Sequence, residues 1–146
     1  MCLVKRNSPE QYVFAETDNL RKGDVVSLTL RSHKGMGIGK KYTDERRAGP
    51  WRYIESDGCL GPSSIRVRYE DQNYLKLADD DLVFDVAFWI MQEGNVINFV
   101  GGTTAKEQTK TGGGGRDWTI NDDGSISPKH HAHLALGFKS CTVGSA

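Results

Sequence analysis

The pair Asp123-Gly124, set between two alternating runs, limits what this chain can fold into more than any other feature. Trp118 and Ile120 alternate with polar neighbours ahead of it, and Ser125-Ile126-Ser127 resumes the alternation behind it. Period-two alternation puts successive side chains on opposite faces of a strand. Glycine tolerates the positive φ that a tight turn demands, so the stretch predicts a hairpin with a type I′ turn at Asp123-Gly124.

The pattern recurs. Trp51-Arg-Tyr-Ile54 leads to Asp57-Gly58 and Leu60, and Trp89-Ile90 leads to Glu93-Gly94 and Val96. A proline follows the acid by five residues in two copies, Asp57 to Pro62 and Asp123 to Pro128. The acid–glycine pairs fall at 57, 93 and 123, at intervals of 36 and 30 residues. Three copies at such spacing predict internal threefold repetition, with repeats over about 20–66, 67–102 and 103–146 of a single 1–146 domain. Three unrelated hairpins in an all-β chain are the alternative.

Other segments agree with strands. Val25–Leu30 and Ile65–Tyr69 alternate and are rich in β-branched residues, and Tyr74–Leu77 runs into an acidic turn at Asp79-Asp80-Asp81. Leu82–Met91 reads as a buried strand, with Asp85 as a bend. Tyr12–Ala15 reads as a strand, although Ser8-Pro9-Glu10-Gln11 has the order of a helix cap. Gly112–Gly115 reads as a mobile loop.

Charge narrows the function classes. Nineteen basic residues balance nineteen acidic ones, so no net field attracts nucleic acid or an acidic membrane. The basic residues concentrate between Arg31 and Arg52, around Gly35-Met-Gly37-Ile-Gly39-Lys40-Lys41. A phosphate loop would need glycine where Lys34 stands and Ser or Thr where Lys41 stands, so a Gly-rich hairpin is the simpler reading. Three cysteines without metal spacing, and no apolar run of membrane-spanning length, predict a soluble cytoplasmic protein that contacts no membrane. His130, His131 and His133 have no flanking Cys or acid to complete a zinc site, and the aspartates lack calcium-loop spacing. Neither metal nor cofactor is expected. No nucleophile with a base and an orienting partner emerges, so no enzyme activity is expected.

Trp118-x-Ile120-x-x-Asp123-Gly124-x-Ile126, followed by Leu134-Ala-Leu136-Gly-Phe138, resembles the repeat of β-trefoil proteins, in particular the ricin-B-type lectins. The resemblance covers roughly 20–146 and is specific around 51–62, 89–97 and 118–138. It implies six hairpins in threefold array, three closing a barrel and three capping it. Trp51, Trp89 and Trp118, with Ile54, Ile90 and Ile120, would fill the core. Ricin-type lectins place Gln two residues before the repeat Trp, where this chain has Gly49, Ala87 and Arg116. Their sugar-binding Asp in a Cys-Leu-Asp segment has no counterpart in Tyr74-Leu-Lys-Leu77 or His133-Leu-Ala-Leu136.

The resemblance implies a carbohydrate-binding module, with ligand presented where a lobe's opening strand meets a polar turn. Asp79, Asp80 and Asp81, beside Tyr74–Leu77, and His130, His131 and His133, before Leu134, are the candidate residues. Carboxylates accept hydrogen bonds from vicinal hydroxyls, and imidazoles accept them or stack on a sugar face. A protein-binding trefoil of the actin-bundling or cytokine-like sort is the alternative. An anion or nucleic-acid binder using Arg31–Arg52 comes third.

Overall fold

A computed structural model describes residues 1–7, 11–15, 20–30, 66–71, 73–79, 81–101 and 116–139, and the backbone course of 37–48 and 51–61. The described residues form twelve strands and one short 3-10 turn. The protein is all-β, and its strand pairings are antiparallel. No helix among the described residues is long and apolar enough to cross a membrane.

The strands are β1 (Cys2–Lys5), β2 (Val13–Ala15), β3 (Val25–Leu30), β4 (Gly37–Ala48), β5 (Trp51–Gly61) and β6 (Arg66–Tyr69). There follow β7 (Leu75–Leu77), β8 (Leu82–Val86), β9 (Ile97–Gly101), β10 (Trp118–Ile120), β11 (Ile126–Pro128) and β12 (Leu134–Gly137). The largest sheet runs β2-β3-β4-β5-β9-β8-β7-β6, and β3 also pairs with β6, so the pairing path returns to β3. β3 can pair with β6 as well as with β2 and β4 because its halves do different work. Val25–Ser27 pairs with Arg68–Arg66, while Leu28–Leu30 pairs with β2. β1 pairs with β12 from Cys2↔Gly137 to Lys5↔Leu134, which ties the two ends of the described chain together.

Alternation fixes the core. Leu28 and Leu30 on β3, Val67 and Tyr69 on β6, and Leu75 and Leu77 on β7 are buried together. Phe84 and Phe99 pack with ring centroids 5.1 Å apart in a tilted arrangement. Trp118 is 0 % exposed, and its Nε1–H donates to the Phe84 carbonyl at 3.2 Å. A buried indole needs such a partner, because an unmet N–H away from water costs more than the bond contributes.

Several expectations require correction. Asp57-Gly58 is not a turn: both residues lie within β5, paired with Lys41 and Lys40 of β4. The long β4–β5 ladder instead closes beyond Ala48↔Trp51. An acid–glycine pair signals a turn only if its flanks pair with each other, and these flanks pair with β4. The Gly-rich stretch from Gly37 to Lys41 accordingly lies in strand β4.

At Asp123-Gly124 the hairpin forms, but with a different turn. The Gly124 N–H donates to the Asn121 carbonyl, and the Asn121 N–H to Ser125. Gly124 has φ +87°, whereas Asp123 is not among the residues of positive φ. A three-residue loop with its glycine in the left-handed region therefore replaces the type I′ turn. A Cβ at Gly124 would also meet Phe14 Cδ1 at 3.3 Å. Gly124→Val should lose about 1–3 kcal/mol, since a β-branched residue is forced to positive φ. Urea denaturation checks this, and a variant as stable as the parent would refute the turn assignment.

The apolar run from Leu82 does not continue as strand to Met91. β8 ends at Val86, and Ala87–Trp89 forms the 3-10 turn. Asp85 is no bend; it is buried within β8. Trp89 and Ile90 are 39 % and 51 % exposed, so they do not fill the core. Ile120 packs partly buried against it. The side chains of Trp51 and Ile54, Asp80, and residues 103–115 with the Gly112–Gly115 stretch lie outside what is described.

Candidate binding cleft

The segment from Ala87 to Val96 is shaped by an unusual backbone. Phe88 and Trp89 take φ +52° and +57°, a left-handed conformation that costs bulky L-residues energy. Side-chain bonds hold it there. Asn95 donates from Nδ2 to the carbonyls of Ala87 and Ile90, each at 2.8 Å, and its Oδ1 accepts the Val96 N–H at 3.0 Å. The loop is also stitched to β1, with Gly94 N–H donating to Leu3 and Leu3 N–H to Asn95. Such strain, where surrounding bonds over-determine it, is a pointer to function.

The result is a tryptophan facing outward on a rigid support. Trp89 donates from Nε1 to Asp85 Oδ1 at 3.0 Å. Beneath it lies Arg116, 3 % exposed, with its Nε 3.1 Å from Asp85 Oδ1 and its guanidinium carbon 5.0 Å from the Trp89 ring centroid. Among the described residues, Arg116 Nη1 is buried without a hydrogen-bond partner. Burial pushes the Asp85 carboxyl up to about 7, against the opposing pull of Arg116 and the Trp89 N–H.

This shift has a measurable consequence. An unfolded chain releases the Asp85 proton near 3.8 and the folded chain near 7. Between those values the folded state holds more protons. The stability this group contributes is therefore complete below about pH 4 and declines as pH rises through about 7. The slope approaches about 1.4 kcal/mol per pH unit. Denaturation midpoints between pH 4 and 8 should fall in the parent relative to Asp85→Asn; parallel curves would contradict the shift.

Trp89 forms one wall of a cleft of about 420 Å³, with Met91 and Pro128 completing its apolar side. Asp117, Lys129, His130 and His131 supply the polar side. The hairpin β10–β11 positions these groups: Trp118↔Pro128 is its last pair, so Asp117 and Lys129 flank it directly. The Lys129 N–H donates to the Asp117 carbonyl at 2.9 Å. Two consecutive turns, His131 N–H to Pro128 and Leu134 N–H to His131, then present the histidines.

The candidate residues named from the sequence thus divide. His130 and His131 line the cleft. His133 is exposed outside it, its ring centroid 6.0 Å from that of His131. Asp79 and Asp81 stand elsewhere, in surface ion pairs with Arg66 at 3.2 Å and Lys76 at 3.7 Å. No group of metal-binding side chains occurs among the described residues. Sequence reasoning missed Trp89 as a surface group, Asp117, Lys129, and the Asp85–Arg116 pair beneath. The one available signal was Asp85 itself, a lone acid in an apolar run, since a buried charge requires a partner.

No protein-family model, curated protein or solved structure matches the chain.

Proposed function

We propose that this protein is a non-catalytic carbohydrate-binding module of β-trefoil type, and that the cleft beside Trp89 is its sugar site. The half-exposed Trp89 ring, held at positive φ over a buried Asp85–Arg116 pair, is the observation that carries the reading. A pyranose presents apolar C–H groups on one face and hydroxyls at its rim. An indole matches the face; Asp117 and the two imidazoles match the rim. The cleft volume falls within the usual range of small-ligand sites, about 300–1,000 Å³. The return of the pairing path to β3 and the pairing of β1 with β12 support the trefoil arrangement. The strand at Asp57-Gly58 departs from the simple repeat.

A glycan array probed with purified protein tests the reading. Specific capture that free sugar abolishes supports it; a blank array at high protein concentration overturns it. Affinity per site is expected to be weak, so array density should strengthen capture through multivalency.

A second reading, binding of a protein partner, draws on Phe88, which is 91 % exposed beside the exposed Ile90 and Val96. Phe88→Ser separates the two. It leaves glycan capture unchanged under the first reading and removes a sugar-insensitive pull-down under the second. The basic Arg31–Arg52 stretch of the third alternative lies, as to side chains, outside what is described.

A further inference from the structure

We propose that the ligand of this cleft is an anionic sugar unit, a pyranose bearing a carboxylate or sulfate, with its charged group against Lys129. The inference rests on the carbohydrate reading above and names the class of sugar.

The charges lining the cleft carry it. Lys129 is exposed, and it forms no ion pair among the described residues. Lys5 pairs with Glu93 at 3.6 Å and Lys76 with Asp81 at 3.7 Å, and Lys139, which has no ion pair among the described residues, does not line the cleft. Lys22 donates to the Glu70 carbonyl at 3.2 Å and to Asn73 Oδ1, and its ammonium lies 3.8 Å from the Tyr69 ring centroid. Among the described lysines, Lys129 is the one that lines the cleft, and its charge is available to a ligand there.

Charged groups of both signs lie around Lys22, which is close to Lys129. Burial lowers the Lys22 pKa; Asp71 opposes the shift, Lys129 adds to it and Asp117 opposes it. Lys22 thus feels one ammonium and two carboxylates. His130 and His131 also line the cleft. Among the described residues, Asp117 is the one carboxylate lining the cleft. It would repel an inorganic anion but accepts hydrogen bonds from sugar hydroxyls. A ligand carrying both hydroxyls and a negative group satisfies both halves, with its ring on Trp89. Charge-assisted bonds to an ammonium are stronger than neutral ones, so the charge should set selectivity.

Calorimetric titration of the full chain with three oligosaccharides tests this: one ending in glucuronate, one ending in 6-sulfated glucose, and one ending in neutral glucose. The glucuronate or the sulfated ligand should bind about tenfold tighter than the neutral one, and the preference should shrink as salt rises. Lys129→Met should erase the preference. Preference for glucuronate over sulfate would identify the carboxylate as the recognised group; equal preference would identify charge alone. Neutral binding as tight as acidic, or a preference that survives Lys129→Met, overturns this inference and leaves the carbohydrate reading standing. Binding of none of the three overturns this inference, and the glycan array then decides whether the carbohydrate reading stands.

Discussion

Trp118→Ala should lose about 3–5 kcal/mol of stability, the usual cost of truncating a large buried aromatic, whereas Trp89→Ala should lose about 1 kcal/mol or less. Trp118 is enclosed by the core, and removing it leaves a cavity and an unmet Phe84 carbonyl. It also disturbs the place where the Tyr69 hydroxyl donates to the Trp118 carbonyl at 2.9 Å. Trp89 has one face toward solvent, and its loss opens no enclosed cavity. Urea denaturation of the two variants gives the comparison. Equal losses would mean that both rings are core, as the repeat pattern alone predicts.

The second large effect falls on binding. Trp89→Ala should lower glycan capture at least tenfold, about 1.4 kcal/mol or more, with an unchanged far-ultraviolet spectrum. Stacking on the indole is the contact that offers the widest apolar face to a sugar; the other aromatic rings lining the cleft among the described residues are the imidazoles of His130 and His131. Capture that survives the substitution would place the ligand elsewhere on the molecule.

Strand positions were legible where burial imposes period two. Val25–Leu30, Tyr69 and Leu75–Leu77 alternate because one face meets the core, and the structure places strands there. The Trp118–Pro128 hairpin was legible for the same reason, although its turn type was not. Local sequence cannot choose between a two-residue and a three-residue loop when Asp122, Asp123 and Gly124 all suit a turn. Asp57-Gly58 shows the opposite failure. Its turn chemistry is genuine, but pairing along the whole of β4 outweighs a local preference.

The site was half legible. His130 and His131 stood out as polar groups ahead of an apolar strand. Trp89 did not, because nothing local reveals that the chain leaves the sheet at Val86 and reverses through two left-handed residues. Asn95, which secures that reversal, acts within its own loop, whereas Arg116, which lies under the ring, is distant in sequence from Trp89 and Asp85. Such partnerships are products of tertiary structure, and no periodicity encodes them.

The indole N–H signals of a nitrogen-15-labelled sample test the central claim most directly. Titration with millimolar galactose, glucose and glucuronate should move the Trp89 signal, assigned by Trp89→Phe, progressively to saturation with at least one sugar. The signal of buried Trp118 should stay in place. A Trp89 signal unmoved by all three sugars would contradict the account.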